Sequence, residues 1–566
     1  MNQPSLLDTW LRQQTDATHN SKERGEREAA ALRARLDSGE HDPDLYLQLS
    51  KLVDFESSLA VLREGYRRVS SRTLHNKLIY LLTNANRTHE AIDEARIAGS
   101  LFPQDLLFRI KDELALPVIY DDPGELRKWR GRFTQGIDRL LADLRLDTDD
   151  RRQRALYAVA RHVNFYLCYQ GLDDRELQSK YAQLVHRILA ASHPEWMKAP
   201  EPGPACERLR VGYASAHFWR HAVSRAFSGW ILDHDTSAFD VFTYQIGESA
   251  RPPIEGIEQT SVFRHLEGSL AGQVEAIRSN RLHAMIFLDV GMSPRMTLLS
   301  SLRLAPLQCA TWGHPVTTGS PQVDYYLSSD LMEPPDAQAH YSESLVRLPG
   351  LAVSYRKPVV PKALLDVRRS RFGIREDAVA YLCCQSTFKY LPQYDRLFTE
   401  IVRQVENAQL VFRAMPPIVE GAFRERLARA FASESLDFSR HCVFAPSMDL
   451  FDNLAFNLVC DVFLDSLEFS GYTTTIDALA CGLPVVTMPG SFMRGRQSAA
   501  LLREIGVPDT IGRNVNEYVD IAVRLGRDSE LREQISERIS KGYSALSLEP
   551  TGLSALEHFL NETARR

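Results

Sequence analysis

No stretch of about 18 consecutive apolar residues occurs in this 566-residue chain, so no membrane-spanning helix is expected. The opening MNQPSLLDTW lacks a basic region followed by an apolar core, so no secretory signal is expected. The eight cysteines lack the paired spacing of a zinc site. Cys383 and Cys384 are adjacent in an apolar run, and Cys442, Cys460 and Cys481 stand in similar surroundings. Buried free thiols in a reducing compartment are the reading, and the expected location is cytoplasmic. Charge is nearly balanced at −6, which gives no reason to expect a nucleic-acid partner. No Asp-x-Asp pair closes a strand of the α/β portion. Asp147 and Asp149 lie in a helical region, and Asp233 and Asp235 close a helix. No metal and no cofactor are therefore expected.

The apolar content of 44% and charged content of 25% are those of an ordinary globular protein. The length suggests three or four domains of ~150 residues. Residues 1–40 are polar apart from Leu6, Leu7 and Trp10 and read as a tail or loose helix. Residues 41–200 read as helical. Within them Leu78 and Leu82 line one helix, Ala91, Ala95 and Ala98 line the next, and Pro103 ends it, a spacing that fits a tetratricopeptide repeat. The segment Leu45–Val69 gives a weaker second pair. Further helices are expected at Leu126–Leu144, Arg152–Tyr169 and Asp174–Ala190. A solenoid of this kind is a docking surface for a protein partner, or a cap that stabilises the next domain.

The Pro-rich MKAPEPGPAC, residues 197–206, marks a boundary. Beyond it strands alternate with helices, the pattern of parallel sheets covered on both faces. One α/β lobe is expected over residues 207–360 and a second over 370–550. A final helix, residues 551–566, is expected to cross back toward the first lobe. A cleft between two such lobes is a common place for a nucleotide.

Five stretches carry candidate chemistry. His217 and His221 follow the first strand of lobe one, where an imidazole can act as acid, base or donor. The run ATWGHPVTTG, with His314, is a turn that can offer backbone N–H groups to an anion. Lys389, just past the first strand of lobe two, can neutralise a diphosphate. In DSLEFSGYTTTIDALACGLPVVTMPG, Ser470-Gly471 turns after a strand. Thr473, Thr474 and Thr475 can cap the helix that follows, whose start suits a phosphate, and Asp477 can reach a ribose hydroxyl. Arg494 and Arg496 stand at a helix start, where they can bind an anion or pair with carboxylates.

Taken together, RLRVGYASAHFWRHAV, RLAPLQCATWGHPVTTGSPQVDYYLSS, YSESLVRLP, CCQSTFKYLPQYD and DSLEFSGYTTTIDALACGLPVVTMPGSFMRGR resemble the O-linked N-acetylglucosamine transferase family, glycosyltransferase family 41, in its bacterial branch. The resemblance implies a GT-B fold of two Rossmann-like lobes behind a tetratricopeptide-like helical domain. It implies inverting, metal-independent transfer from a UDP-sugar, with N-acetylglucosamine foremost, to Ser or Thr of a protein docked by the helices. By position it implies His221 as the active-site histidine and Lys389 as the diphosphate contact. Thr473 and Thr474 take the phosphate-binding helix start, Asp477 holds the ribose, and Ala445 reads the uracil. Ser386, Gly471, Tyr472, His314 and Arg496 complete the expected donor-binding set. Three departures stand out. Tyr472 replaces the His of the animal enzymes, Ser447 and Leu450 replace a Lys and a His near the uracil loop, and Gln497 stands where related bacterial chains commonly have His. Transfer of glucose or another sugar to Asn or to a flagellin-type acceptor is an alternative, as is a non-catalytic helical adaptor that only binds UDP.

Overall fold

A computed structural model describes residues 24–203, 208–247, 251–353, 355–414, 417–445, 450–546 and 551–564. Leu6, Leu7, Trp10, Cys206 and Ser447 lie outside them. The chain divides into two compact units, Met1–Val118 and Ile119–Arg566.

The first unit is helical. A helix over residues 24–37 is followed by Pro43–Leu52 and Phe55–Arg68, then Arg72–Asn84 and Thr88–Leu101, then Leu106–Glu113. Leu78 and Leu82 face Ala91, Ala95 and Ala98 in a buried seam, and these small alanines let the paired helices approach closely. His75 fills a position where such repeats usually carry an aromatic. Its ring stacks on Tyr66 at 4.3 Å, and its Nδ1 bonds the buried Glu94 at 2.5 Å.

The second unit begins with helices Pro123–Asp143 and Asp149–Val159, a short 3₁₀ turn Phe165–Gln170, and the helix Arg175–Ser192. The expected single helix Arg152–Tyr169 is thus broken. His162 Nε2 bonds Asn164 Oδ1 at 3.0 Å, and the His162 carbonyl accepts from Tyr181. These bonds draw the backbone out of the helix and present Phe165, Tyr166 and Tyr169 to the α/β lobes.

Helices from residue 119 onward belong to the same compact unit as the lobes because buried polar contacts lock them there. Arg426 donates to the Tyr120 carbonyl, and Arg494 donates to the Leu172 carbonyl and to Asp174. A Cβ on Gly319 would stand 2.5 Å from the Gln178 backbone.

Lobe one holds seven parallel strands: β1 Leu209–Ser215, β2 Phe239–Ile246, β3 Val262–Leu266, β4 Ala284–Phe287, β5 Leu307–Thr311, β6 Tyr325–Ser329 and β7 Ser344–Leu348. Their order is β3-β2-β1-β4-β5-β6-β7. Lobe two holds β8 Val379–Cys383, β9 Ala408–Arg413, β10 Cys442–Ala445, β11 Val462–Leu464 and β12 Val485–Val486, in the order β10-β9-β8-β11-β12. Every residue of β4, β5 and β8 is buried, as helices on both faces of a parallel sheet require. The helix Thr551–Ala564 returns to lobe one. There Glu557 accepts from His234 Nδ1 at 2.8 Å and from the Asp235 N–H at 2.9 Å. No helix among the described residues is long and apolar enough to cross a membrane.

Candidate functional site between two α/β lobes

The turn after β11 is shaped by one buried carboxylate. Asp465 accepts from Ser470 Oγ at 2.6 Å, from the Gly471 N–H at 2.9 Å and from Thr487 Oγ1 at 2.8 Å. Ser498 Oγ lies 2.8 Å from Ser470 Oγ and 2.7 Å from Thr475 Oγ1. Burial raises the Asp465 carboxyl above the usual carboxylate range, and these hydroxyl and N–H donors oppose that shift.

The threonines do not cap the helix as the sequence suggests. Tyr472 occupies the N-cap position and makes no side-chain cap bond, and the helix runs Thr473–Ala480. Thr475 is turned inward, its hydroxyl bonding the Gly471 carbonyl at 3.0 Å. Thr473 and Thr474 remain partly exposed at the start. That start therefore keeps its positive end free of a side-chain cap.

Gln385, which the sequence reading passed over, joins this helix to Lys389. Its Oε1 accepts from Lys389 Nζ at 2.8 Å, and its Nε2 donates to Thr474 Oγ1 at 2.6 Å. The Lys389 ammonium also sits 4.5 Å from the centre of the Phe469 ring. Burial lowers Lys389 to about 8, with Asp465 opposing the shift. Ser386 starts the short 3₁₀ turn Thr387–Lys389, its carbonyl accepting from the Lys389 N–H.

His221 is the N-cap of the lobe-one helix Ala222–Leu232. The Val223 N–H donates to its Nδ1 at 3.2 Å, and its own N–H donates to Ser224 Oγ at 3.2 Å. Its ring stacks on His217 at 4.1 Å and meets Trp219 edge-on at 5.0 Å. Burial, and then the charge of Arg251, lower His221 to about 4, so the ring is neutral at physiological pH. An Nδ1 that accepts a bond leaves the neutral ring's proton on Nε2, which is then a donor. His217 is lowered to about 3, first by burial, and its Nε2 lies 3.7 Å from Asp289, whose carboxyl burial raises to about 7.

One turn into each helix the lobes are stapled. Arg225 donates to both oxygens of Asp477, at 2.5 and 3.2 Å, and Asn453 adds a third bond at 3.0 Å. The expected ribose carboxylate is therefore already engaged. Nothing local in the sequence pairs residues 225 and 477.

Tyr472 packs edge-on against Trp312 at 4.9 Å and Tyr355 at 6.1 Å. The Tyr472 hydroxyl and Trp312 Nε1 are buried with no hydrogen-bond partner among the described residues. His314 is buried, lowered by that burial to about 3, and stacked on Phe165 at 5.7 Å. Phe165 in turn meets Phe388, the neighbour of Lys389, at 6.2 Å. The hydroxyl-rich turn around His314 is not open to an external anion at Thr317 and Thr318. The chain's own Glu343 takes the Thr317 hydroxyl at 2.5 Å and the Thr318 N–H at 2.8 Å.

Arg496 is not brought into the Lys389–Thr474 group. It donates to the Met332 carbonyl at 3.0 Å and the Gly490 carbonyl at 3.1 Å. Arg494 pairs with buried Asp174 rather than a surface carboxylate. Ala445 ends β10, and its carbonyl accepts from the Ala414 N–H at 2.9 Å. Among the described residues no three His, Cys, Asp or Glu side chains cluster as a metal site would require.

The family model described as glycosyl transferase family 41 matches residues 139–354 and 354–548. A probable UDP-N-acetylglucosamine–peptide N-acetylglucosaminyltransferase of Solanum lycopersicum, SPINDLY, is 26% identical over 418 residues, covering 70% of this chain and 43% of that protein. A probable enzyme of the same description from Arabidopsis thaliana, SEC, is 24% identical over 64% of this chain and 38% of its own length. The chain thus spans less than half the length of these curated relatives. A mutant of the Thermobaculum terrenum O-GlcNAc transferase superposes with a TM-score of 0.65 at 22% identity, covering 96% of this chain and 98% of that one. That likeness is one of fold, and it agrees with the expected arrangement of two α/β lobes behind a helical region.

Proposed function

The chain belongs to glycosyl transferase family 41, and from that premise we propose that it transfers a sugar, N-acetylglucosamine foremost, from a UDP-sugar to a hydroxyl of a protein acceptor. The observation that carries the reading is the continuous bond chain Lys389–Gln385–Thr474 at a helix start without a side-chain cap. It joins a cation, a hydroxyl and a positive helix end, the groups that hold a diphosphate without a metal.

In the proposed reaction the acceptor oxygen forms a bond to the anomeric carbon as the carbon–oxygen bond to the diphosphate breaks. The electron pair leaves on UDP, and the sugar configuration inverts. Lys389 and Thr474 meet the charge that develops on the leaving diphosphate, where preorganised electrostatics acts most strongly. His221, neutral and carrying its proton on Nε2, positions the reacting groups as a donor. The acceptor proton passes to the departing diphosphate or to solvent. Tyr472, boxed between Trp312 and Tyr355, is the residue we assign to the choice of sugar. The helices of Met1–Val118 are assigned to acceptor docking, and the expected setting is the cytoplasm.

The test incubates the protein with UDP-N-acetylglucosamine, UDP-N-acetylgalactosamine or UDP-glucose and a lysate, reading UDP release and intact acceptor mass. Transfer from one donor, lost in Lys389→Ala with the melting curve unchanged, is the expected result. UDP binding with neither transfer nor donor hydrolysis for any sugar would leave an adaptor, not an enzyme.

A further inference from the structure

Gln385 is 2% exposed and follows β8 by two residues. An amide has one accepting oxygen and one donating nitrogen, and its neighbours decide which way it points. An ammonium has no acceptor, so Lys389 Nζ must meet Oε1, at 2.8 Å. Nε2 then faces Thr474 Oγ1 at 2.6 Å, and that oxygen accepts. A hydroxyl has one proton. With its oxygen receiving the amide N–H, the Thr474 proton is directed to another partner. The packing closes tightly around the amide, for a Cβ on Gly471 would stand 2.3 Å from both Gln385 Nε2 and Thr474 Oγ1.

We propose that Gln385 is a positioning residue for the nucleotide diphosphate: its oriented amide fixes Lys389 and obliges Thr474 to donate its hydroxyl proton to a phosphate oxygen. The inference rests on the reading of the cleft as a UDP-sugar site and adds the group that sets its polarity. Lys389 gives one of its three N–H bonds to Gln385 and keeps two for the ligand. The titratable groups facing it are Asp465 from the turn after β11, Cys384 just past β8, and Cys168 from the Phe165–Gln170 turn. Burial raises both thiols, Cys384 to about 11 and Cys168 further, so Asp465 supplies the opposing charge.

The test is calorimetric titration with UDP from pH 6.5 to about 9.5, on the intact chain and its variants. Gln385→Glu replaces the amide by a group that only accepts. Lys389 gains an ion pair, and the Thr474 proton turns to the new carboxylate. The alkaline limb of UDP affinity is expected to move up by about one pH unit. Affinity at neutral pH is expected to fall about tenfold. Thr474→Val, which alone costs about tenfold, adds less than about twofold on top of Gln385→Glu. Gln385→Met keeps the volume and removes the acceptor that favours the charged lysine, so its limb moves down. A space-filling role gives no such opposite displacements.

If Gln385→Glu does not fold, the Gln385→Met limb decides alone. Coincident limbs in wild type and variants, or Thr474→Val costing as much with Gln385→Glu as without it, would overturn the proposal. Wild type that binds no UDP overturns the functional reading along with it. Binding with additive losses overturns only the role of Gln385.

Discussion

His221 is the place where geometry and titration make the sharpest joint prediction. Substitution by Ala removes both the helix cap and the Nε2–H donor. Substitution by Asn keeps a capping oxygen and offers an amide N–H. Loss of the cap costs about 1 kcal/mol in the Ala variant, whereas Asn, among the best capping residues, keeps it. Loss of a donor to a charged group costs roughly 1.5–3 kcal/mol, about 10- to 150-fold in kcat/KM. The Asn variant is therefore expected to retain clearly more activity than the Ala variant. A general base at Nε2 would leave the two equally inactive, because an amide cannot take the proton.

The pH dependence of stability gives a second check on the same residue. The folded imidazole titrates at about 4, against roughly 6.5 in the unfolded chain. Between those values the unfolded state binds a proton that the folded state refuses. Stability is thus present above 6.5 and is lost as pH falls toward 4, by about 2 kcal/mol at pH 5 from this group alone. His221→Asn removes that contribution, so its melting temperature should fall less steeply on acidification than that of wild type. The assay is kcat/KM and melting across pH 4.5 to about 9. A rate limb at pH 6 to 7 in wild type that vanishes in His221→Asn would refute the assignment, as would Asn and Ala variants of equal activity.

Two further outcomes follow from the cleft. Arg225→Met leaves the buried Asp477 with Asn453 as its remaining partner, and should cost roughly 3 kcal/mol at neutral pH by denaturant unfolding. Burial already raises Asp477, so the loss should shrink as pH falls and the carboxyl takes a proton, and should be relieved by Asp477→Asn in the same chain; a loss that is constant with pH and insensitive to Asp477→Asn would show that the staple is not the cause. Gly471→Ala should part Gln385 from Thr474, with about 1–3 kcal/mol of overpacking and a matching drop in UDP affinity by calorimetry. Wild-type affinity in that variant would mean the turn tolerates the 2.3 Å conflicts without moving its ligand groups.

What the sequence made legible is what local pattern encodes. The strands β8 to β11 are short apolar runs closed by turn residues, the local pattern that marks a buried strand. β7 carries no such mark, because it is an edge strand with several partly exposed residues. β5 carries a weaker mark because Gln308 interrupts its apolar run. Its buried amide is used to tie Leu302, Leu304 and Gln322, a need that exists only in the fold. Lys389, Thr474 and Asp477 were singled out from their places after strands. Their partners Gln385 and Arg225 were not. The Arg225–Asp477 bond joins residues 252 apart, and no spacing rule reaches across two lobes.

The density of hydroxyls around residue 470 has a physical division of labour. Ser470 and Thr487 bond Asp465 directly, and Ser498 and Thr475 join that network through Ser470, all of them turned inward. Thr473 and Thr474 remain at the partly exposed helix start. A buried carboxylate is costly unless such donors surround it, so the inward hydroxyls are what allow Asp465 to exist there at all. Its charge then acts on Lys389. Burial pulls the lysine down to about 8, and the Asp465 charge is the main influence holding it up. Without that charge the lysine would titrate lower still, and less of it would be protonated at neutral pH. The inward hydroxyls thus govern, through Asp465, the charge of Lys389, and the turn after β11 both shapes the helix start and sets the electrostatics beside it.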